Sequence, residues 1–196
     1  MGLTGAHAPG ATPLEPDDIV GLKPRHVTTQ GQVDEFEESN ILEARLWLRR
    51  RRARKDPLDF SFALELHRRM FGDVWQWAGT LRRRATNIGI VPERIATQVK
   101  QLLDNTRVRI EAEPGNIDRI ATEFHHKLVS IHPFVNGNGR HARMLTDVLL
   151  EANGRKAFTW GQNPLVPAGP IRDAYIAALQ SADHGDYAPL SEFVRS

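Results

Sequence analysis

Two apolar stripes of helical period, separated by a short polar loop, constrain this chain more than any other feature. Ile117, Ile120, Ala121, Phe124, Leu128 and Ile131 recur at i, i+3, i+4, i+7, i+11 and i+14, a spacing that an α-helix gathers onto one buried face. That helix has to end before Pro133, because the residue preceding a proline is driven out of the helical region. Met144, Leu145, Val148 and Leu149 make a second stripe, stopped near Gly154. Between them lies His132-Pro133-Phe134-Val135-Asn136-Gly137-Asn138-Gly139-Arg140.

The remaining periodicity predicts an all-α fold, a bundle of about seven helices with one β-hairpin over the loop. Pro9, Pro13, Pro16 and Pro24 make residues 1–32 an extended arm. A helix follows from Val33 to Leu48, with Asp34, Glu35, Glu37 and Glu38 at its start and Arg49 to Arg52 at its end, the charge order the helix dipole favours. Residues 33–56 are therefore set apart from a core at 57–196. Within that core a helix from about Pro57 to Phe71 buries Phe60, Leu64 and His67 and stops at Gly72. Residues 74–91 carry β-branched positions around an Asn/Gly turn signal and read as a short hairpin. Ile95, Val99, Leu102, Leu103 and Ile110 mark another helix; Ile171, Tyr175, Ala178 and Leu179 one more, ended by Gly185, before a short terminal helix at Leu190 to Val194.

Composition narrows the chemistry. Lys and Arg total 26 against 24 Asp and Glu, a net charge of +2, so bulk charge does not imply a nucleic-acid partner. The absence of cysteine excludes disulfides, thiolate metal sites and cysteine nucleophiles. No charged leader runs into an apolar segment, and no apolar run approaches the ~18 residues of a membrane span, so a cytoplasmic protein without a membrane partner is expected.

Gly137 and Gly139, alternating with Asn138 at the start of a helix, suit a turn whose N–H groups face an anion such as phosphate. Arg140 and Arg143 fall in the first turn of that helix, where the macrodipole disfavours cations by roughly 0.3–1 kcal/mol each. An anion is needed to offset them, and their spacing lets them clamp a di- or triphosphate from one side. His132 borders the same loop and could take a proton from an attacking hydroxyl, provided its surroundings keep it neutral at a helix C-terminus. Together these residues favour phosphoryl or nucleotidyl transfer.

The segment resembles the motif of the Fic family, H-x-F-x-[DE]-G-N-G-R-x-x-R, everywhere except at Asn136. The likeness extends through Trp75-Gln76-Trp77-Ala78-Gly79, Thr86-Asn87-Ile88 and the closing Arg172-Asp173-Ala174-Tyr175, so it covers nearly the whole chain. Thr12-Pro13-Leu14, Gly21-Leu22 and Phe36-Glu37-Glu38-Ser39-Asn40-Ile41 resemble a bacterial Fic subgroup called mobile mystery protein B. The resemblance implies a protein adenylyltransferase that moves AMP from ATP to a Tyr, Ser or Thr hydroxyl of a target protein, with Mg²⁺. It implies His132 as general base, Gly137, Asn138, Gly139 and Arg140 around the phosphates, Arg143 on the γ-phosphate, and Tyr175 near the adenine or in the core. Phe134 would anchor the loop, and Thr86, Asn87, Ile88 and Gly89 would form a flap that docks the target by strand addition. The subgroup implies a co-encoded small DNA-binding protein as a partner.

Asn136 stands where the family carries its metal-binding acid; an amide oxygen can ligate Mg²⁺ but brings no charge. That departure opens two alternatives: transfer of a different phosphate-containing group, and an inactive nucleotide binder. Ser39 and Glu43 resemble the inhibitory pattern [ST]-x-x-x-E-[GN], whose carboxylate would pair with Arg143 and compete with phosphate; Glu38 is the other candidate. Two further readings are a nucleic-acid module using Arg49–Arg52 and Arg82–Arg84, and a metallohydrolase using His125, His126, His132 and His141. The second lacks H-E-x-x-H and any carboxylate at the required spacing, and two or more of its histidines are expected to serve packing or capping.

Overall fold

The structure is a computed structural model that describes residues 16–51, 56–162 and 169–196. Eight α-helices follow one another among the described residues: α1 Pro16–Val20, α2 Gln30–Arg51, α3 Phe60–Phe71, α4 Pro92–Ala112, α5 Ile117–Ile131, α6 Asn138–Ala152, α7 Pro170–Asp183 and α8 Ala188–Phe193. The all-α expectation holds. Residues 1–15 and Arg52 lie outside the described residues, and the extended arm is corrected over its last part. Pro16–Val20 make a short helix, and Leu22 forms an isolated antiparallel bridge with Trp75.

Local chemistry explains the helix ends. The Asp59 carboxylate accepts the Phe62 N–H at 2.8 Å and so caps α3. Pro92 opens α4, where a missing N–H costs nothing. The helix α5 ends at Ile131, two residues before Pro133, and His132 takes a left-handed conformation, φ 55° and ψ 62°.

The α5 stripe is buried as its period predicts, and it serves two cores. Phe124 and Leu128 pack with Leu66, Phe71, Ile95, Leu103, Leu145 and Leu149. Ile117 and Ala121 pack instead with Leu150, Phe158, Trp160, Tyr175 and Leu190. The α5–α6 connection therefore emerges from the wall shared by both cores, where neither end of it is free to drift. On α3 the buried face is Phe62, Ala63, Leu66, His67, Met70 and Phe71, while Phe60 and Leu64 are only half-buried.

The hairpin expected at 74–91 is not formed; no strand occurs among the described residues. The backbone N–H groups of Arg82 and Ile90, one on each limb of residues 80–91, hydrogen-bond sideways rather than across to the other limb. The Arg82 N–H donates to the Pro133 carbonyl at 2.9 Å and the Ile90 N–H to the Ile131 carbonyl at 3.4 Å. Pairing to the α5–α6 connection takes the place of a cross-strand ladder, because a two-stranded ribbon alone has little independent stability. No helix of the described residues is long and apolar enough to cross a membrane.

Candidate active site

The loop from His132 to Gly137 is held by its own polar side chains. Asn138 Oδ1 accepts the Phe134 N–H at 2.8 Å, and Asn138 Nδ2 donates to the Phe134 carbonyl at 2.8 Å. Both ends of the Asn138 amide are thus committed to shaping the loop, so this residue can offer a phosphate only its backbone N–H. The Gly137 N–H is likewise engaged, by Asn136 Oδ1 at 2.6 Å. The helical ladder of α6 begins with His141 N–H on Gly137 O, which leaves the N–H groups of Asn138, Gly139 and Arg140 outside it, at the positive helix end.

Gly137 has φ 77°, and a Cβ built there would lie 2.6 Å from Phe71 Cζ. Phe71 is fully buried, so the ring cannot retreat. Gly137→Ala is expected to cost about 3 kcal/mol, from the left-handed backbone and from overpacking. Gly139→Ala meets only Tyr175 Oη at 4.0 Å and should stay within about 0.5 kcal/mol of the parent. Urea unfolding of the two variants checks the contrast.

His132 is buried, and its imidazole is pushed down to about 4 by burial and by the Arg82 guanidinium, against the Val129 carbonyl. The neutral form that a general base needs is therefore maintained at neutral pH despite the helix C-terminus. Gly89 packs directly on it: a Cβ there, at φ 109°, would lie 2.6 Å from His132 Cβ. Within the 86–89 turn the Thr86 hydroxyl donates to the Ile88 carbonyl at 2.6 Å, and Asn87 is exposed.

The anion that the arginines call for is supplied by the chain itself. Arg140 Nη1 is 2.6 Å from Glu37 Oε2, and Glu37 Oε1 accepts the Trp75 indole N–H at 2.6 Å. The Arg140 guanidinium also lies over the Phe71 ring, 4.8 Å from its centroid. Arg143 lies over the Tyr175 ring at 5.7 Å, and burial lowers its pKa. Tyr175 is buried, bonds His125 Nε2 at 2.8 Å, and is raised to about 12 by burial, so it belongs to the second core behind the loop.

The pairing expected of Glu43 or Glu38 with Arg143 is not the one formed. Ser39, Glu38 and Glu43 are exposed; Glu43 lines a groove of about 460 Å³ with Lys23, Trp47 and Arg50. The inward face of α2 runs Val33, Glu37, Asn40 and Ala44, at i, i+4, i+7 and i+11, and helical phase puts Glu38 and Glu43 off it. Phe36, at the same end of the helix, is 40% exposed.

His67 is a second residue whose role sequence reasoning missed. Its Nδ1 accepts the Gly79 N–H at 2.9 Å, so its proton sits on Nε2, which donates to the Asn136 carbonyl at 3.1 Å. The ring stacks on Phe134 with centroids 3.7 Å apart. Burial holds it well below the usual imidazole range, with His141 and Arg140 adding to the shift.

The histidines proposed for a metal do not converge. His125 bonds Tyr175, His126 bonds Tyr187 and Asp183, and His141 bonds the Ala63 carbonyl. No group of three His, Cys, Asp or Glu able to hold a metal occurs among the described residues. The Arg82–Arg84 patch is dismantled in the same way. Arg82 is buried and Arg84 pairs with Asp18, leaving Arg83 exposed.

The Fic/DOC family model matches residues 57–150. The protein adenylyltransferase fic-1 of Caenorhabditis elegans is 32% identical over 146 residues, 71% of this chain and 27% of that protein. The protein adenylyltransferase Fic of Nematostella vectensis is 26% identical over 191 residues, 95% of this chain and 39% of that protein. This chain thus spans well under half the length of these curated relatives. Among solved structures, Fic-1 of C. elegans superposes with a TM-score of 0.64 at 26% identity, covering 80% of this chain and 46% of that one. The BepC protein of Bartonella tribocorum, an effector crystallised with AMPPNP, shares the fold at a TM-score of 0.70 and 19% identity, covering 93% and 96%. His132, the glycine loop and both arginines all fall inside the matched segment, and residues 57–150 of this chain are a Fic/DOC family domain.

Proposed function

We propose that this chain is a protein adenylyltransferase that moves AMP from ATP to a Tyr, Ser or Thr hydroxyl of a target protein, restrained by α2. The observation that carries the reading is a buried, neutral imidazole at one end of a loop whose other end presents the α6 N–H groups, Arg140 and Arg143. In this reading His132 takes the hydroxyl proton as the hydroxyl oxygen attacks the α-phosphorus. The bond from that phosphorus to the bridging oxygen breaks, pyrophosphate leaves, and the imidazolium returns its proton to water. The N–H groups of Asn138, Gly139 and Arg140 and the two guanidinium groups hold the phosphates. The 86–89 turn is the edge offered to the target.

The chain then divides into an N-terminal arm (1–32), an inhibitory segment (33–56) whose described helix belongs to α2, and a Fic core (57–196). Glu37 occupies Arg140 in place of phosphate, and nucleotide has to displace it. The subgroup likeness to mobile mystery protein B, with its small DNA-binding partner and bacterial cytoplasm, belongs to this proposal as well.

Mg²⁺ is implied with ATP, but the residues present do not build a site for it. Asn136 Oδ1, at the position where the family carries its acid, is neutral and already accepts from Gly137 N–H and, at 3.4 Å, from Arg140. A metal would arrive on the phosphates. Asn136→Asp is expected to tighten Mg²⁺-dependent ATP binding about tenfold, read by titration calorimetry with and without the ion.

The same Asn136 supports a second reading, in which the donor is another phosphate-containing molecule. Incubation of the parent, Glu37→Gly and His132→Ala with α-labelled ATP tests the first. Label on protein that rises in Glu37→Gly and vanishes in His132→Ala supports AMP transfer. Transfer by Glu37→Gly from a different donor alone moves the conclusion to the second reading, and no transfer from any donor leaves a nucleotide-binding module.

A further inference from the structure

We infer that Arg82 is the positioning residue of this site: a single buried guanidinium ties both limbs of the 82–90 loop to the backbone on either side of the His132 Cα and thereby sets where the imidazole stands. The inference rests on reading His132 as the base, but its main test does not.

Arg82 is 3% exposed, and the acceptors it reaches are backbone carbonyls. Its Nε donates to His132 O at 2.7 Å and its Nη2 to Ile131 O at 3.5 Å. Nη1 donates to Arg84 O at 2.8 Å and Nη2 to Ile90 O at 2.5 Å. The Arg82 backbone N–H adds a bond to Pro133 O at 2.9 Å. Three successive carbonyls, Ile131, His132 and Pro133, are therefore held by one residue. They lie at and just beyond the C-terminus of α5, where helix geometry leaves carbonyls without intrahelical partners and where the dipole favours a cation.

This arrangement answers a local problem. His132 is left-handed, a conformation disfavoured for a residue with a Cβ. Such a residue persists only where its surroundings over-determine it, and Arg82 supplies that from one side. Gly89 supplies it from the other, since a Cβ there would lie 2.6 Å from His132 Cβ and 2.7 Å from Arg82 Nη2. The fork is the essential feature. A lysine would keep the charge but present one point donor where four carbonyls have to be met in a plane. The guanidinium is also the charge that opposes protonation of the imidazole, in addition to burial.

The test separates charge from geometry in the full chain. With histidine ring carbons labelled and the His132 signals identified by their loss in His132→Ala, NMR titration follows its protonation. Arg82→Gln is expected to raise the His132 midpoint from about 4 by about one unit, and Arg82→Lys to leave it in place. In Arg82→Lys the amides of residues 82 and 90 should exchange faster. Its kcat for label transfer should fall at least about tenfold, with KM for ATP within about twofold, because the phosphate-binding turn is untouched. A folded Arg82→Gln with an unmoved His132 titration overturns the inference. So does an Arg82→Lys with parental amide exchange, parental kcat, or a loss confined to KM. If Arg82→Gln does not fold, the Arg82→Lys measurements decide. If the parent transfers no label, the reading of function fails, while titration and exchange still decide the positioning role.

Discussion

Replacing Glu37 by glycine is expected to tighten nucleotide binding and to raise label transfer by about 10- to 100-fold, while lowering the melting temperature. The Glu37 side chain is 6% exposed, and its carboxylate lies 2.6 Å from the Arg140 guanidinium. An incoming phosphate competes for that same guanidinium. A hydrogen bond to a charged group contributes about 1.5–3 kcal/mol, and each 1.4 kcal/mol is a factor of ten in affinity. Removing the competitor returns that amount to the nucleotide. Stability moves the other way, because the variant leaves the Trp75 indole N–H and Arg140 without their acceptor. For a fully buried pair that loss is about 3–5 kcal/mol. The Arg140 side chain is 22% exposed and keeps some water, so about 1–3 kcal/mol is expected. Opposite changes in affinity and stability from one substitution distinguish a competing anion from general damage. Glu43→Gly, on the exposed side of α2, should leave affinity within about twofold and cost only about 0.5–1 kcal/mol, as for any glycine in an exposed helix interior. Calorimetry and thermal melting of both variants check this; equal nucleotide affinities in parent and Glu37→Gly would remove the restraint from the account.

Acidification from pH 6.5 towards 4 is expected to destabilise the chain steeply. His125 is lowered to about 3, and His132 and His141 to about 4, burial being the largest cause for each. Their unfolded counterparts protonate near 6.5. Each folded pKa is depressed, so the stability these groups allow is complete above 6.5 and is lost as pH falls towards the folded values. Across that window each costs about 1.4 kcal/mol per pH unit. Asp147 acts in the opposite sense. Burial raises its carboxyl from 3.8 to about 6, against hydrogen bonds from Trp160 and Phe158, so below pH 6 the folded state takes up one proton that the unfolded state does not. With His67, which burial also lowers, four histidines stand against one carboxyl and leave roughly 4 kcal/mol lost per pH unit, while a domain of this kind has about 5–15 kcal/mol in total. Urea midpoints at pH 7, 6 and 5 should fall in that order. A midpoint that stays level from pH 7 to 5 would mean that these imidazoles protonate without unfolding. His132 stays neutral down to about 4, so label transfer should show no acid limb between pH 7 and 5.

Several residues were legible in the sequence for reasons that are local. The α5 stripe from Ile117 to Ile131 is a repeat of 3.6 residues, and Pro133 bounds it whatever the chain does elsewhere. Gly137 was legible because a tight turn opening a helix favours glycine; its contact with Phe71 was not. The need for an anion beside Arg140 followed from two cations at a helix N-terminus. That the anion is Glu37 did not, since Asp34, Glu35, Glu37 and Glu38 satisfy the same local rule and only helical phase against α3 and α6 selects one of them. The hairpin failed for a related reason. Residues 82–91 have strand composition, but Arg82 and Ile90 find carbonyls on the α5–α6 connection, and tertiary pairing overrides local β preference.

By itself, then, the sequence determined the order of helices, the loop with His132 at one end and Arg140 and Arg143 at the other, and the demand for negative charge beside them. These rest on periodicity, turn chemistry and the helix dipole, which act within a few residues. Only the tertiary structure decided that Glu37 meets Arg140 across 103 residues of chain, that His67 holds the Asn136 carbonyl, and that Arg82 fastens the loop over His132. Those contacts join elements distant in sequence, and their choice of partner depends on which face each helix turns inward when the two cores close.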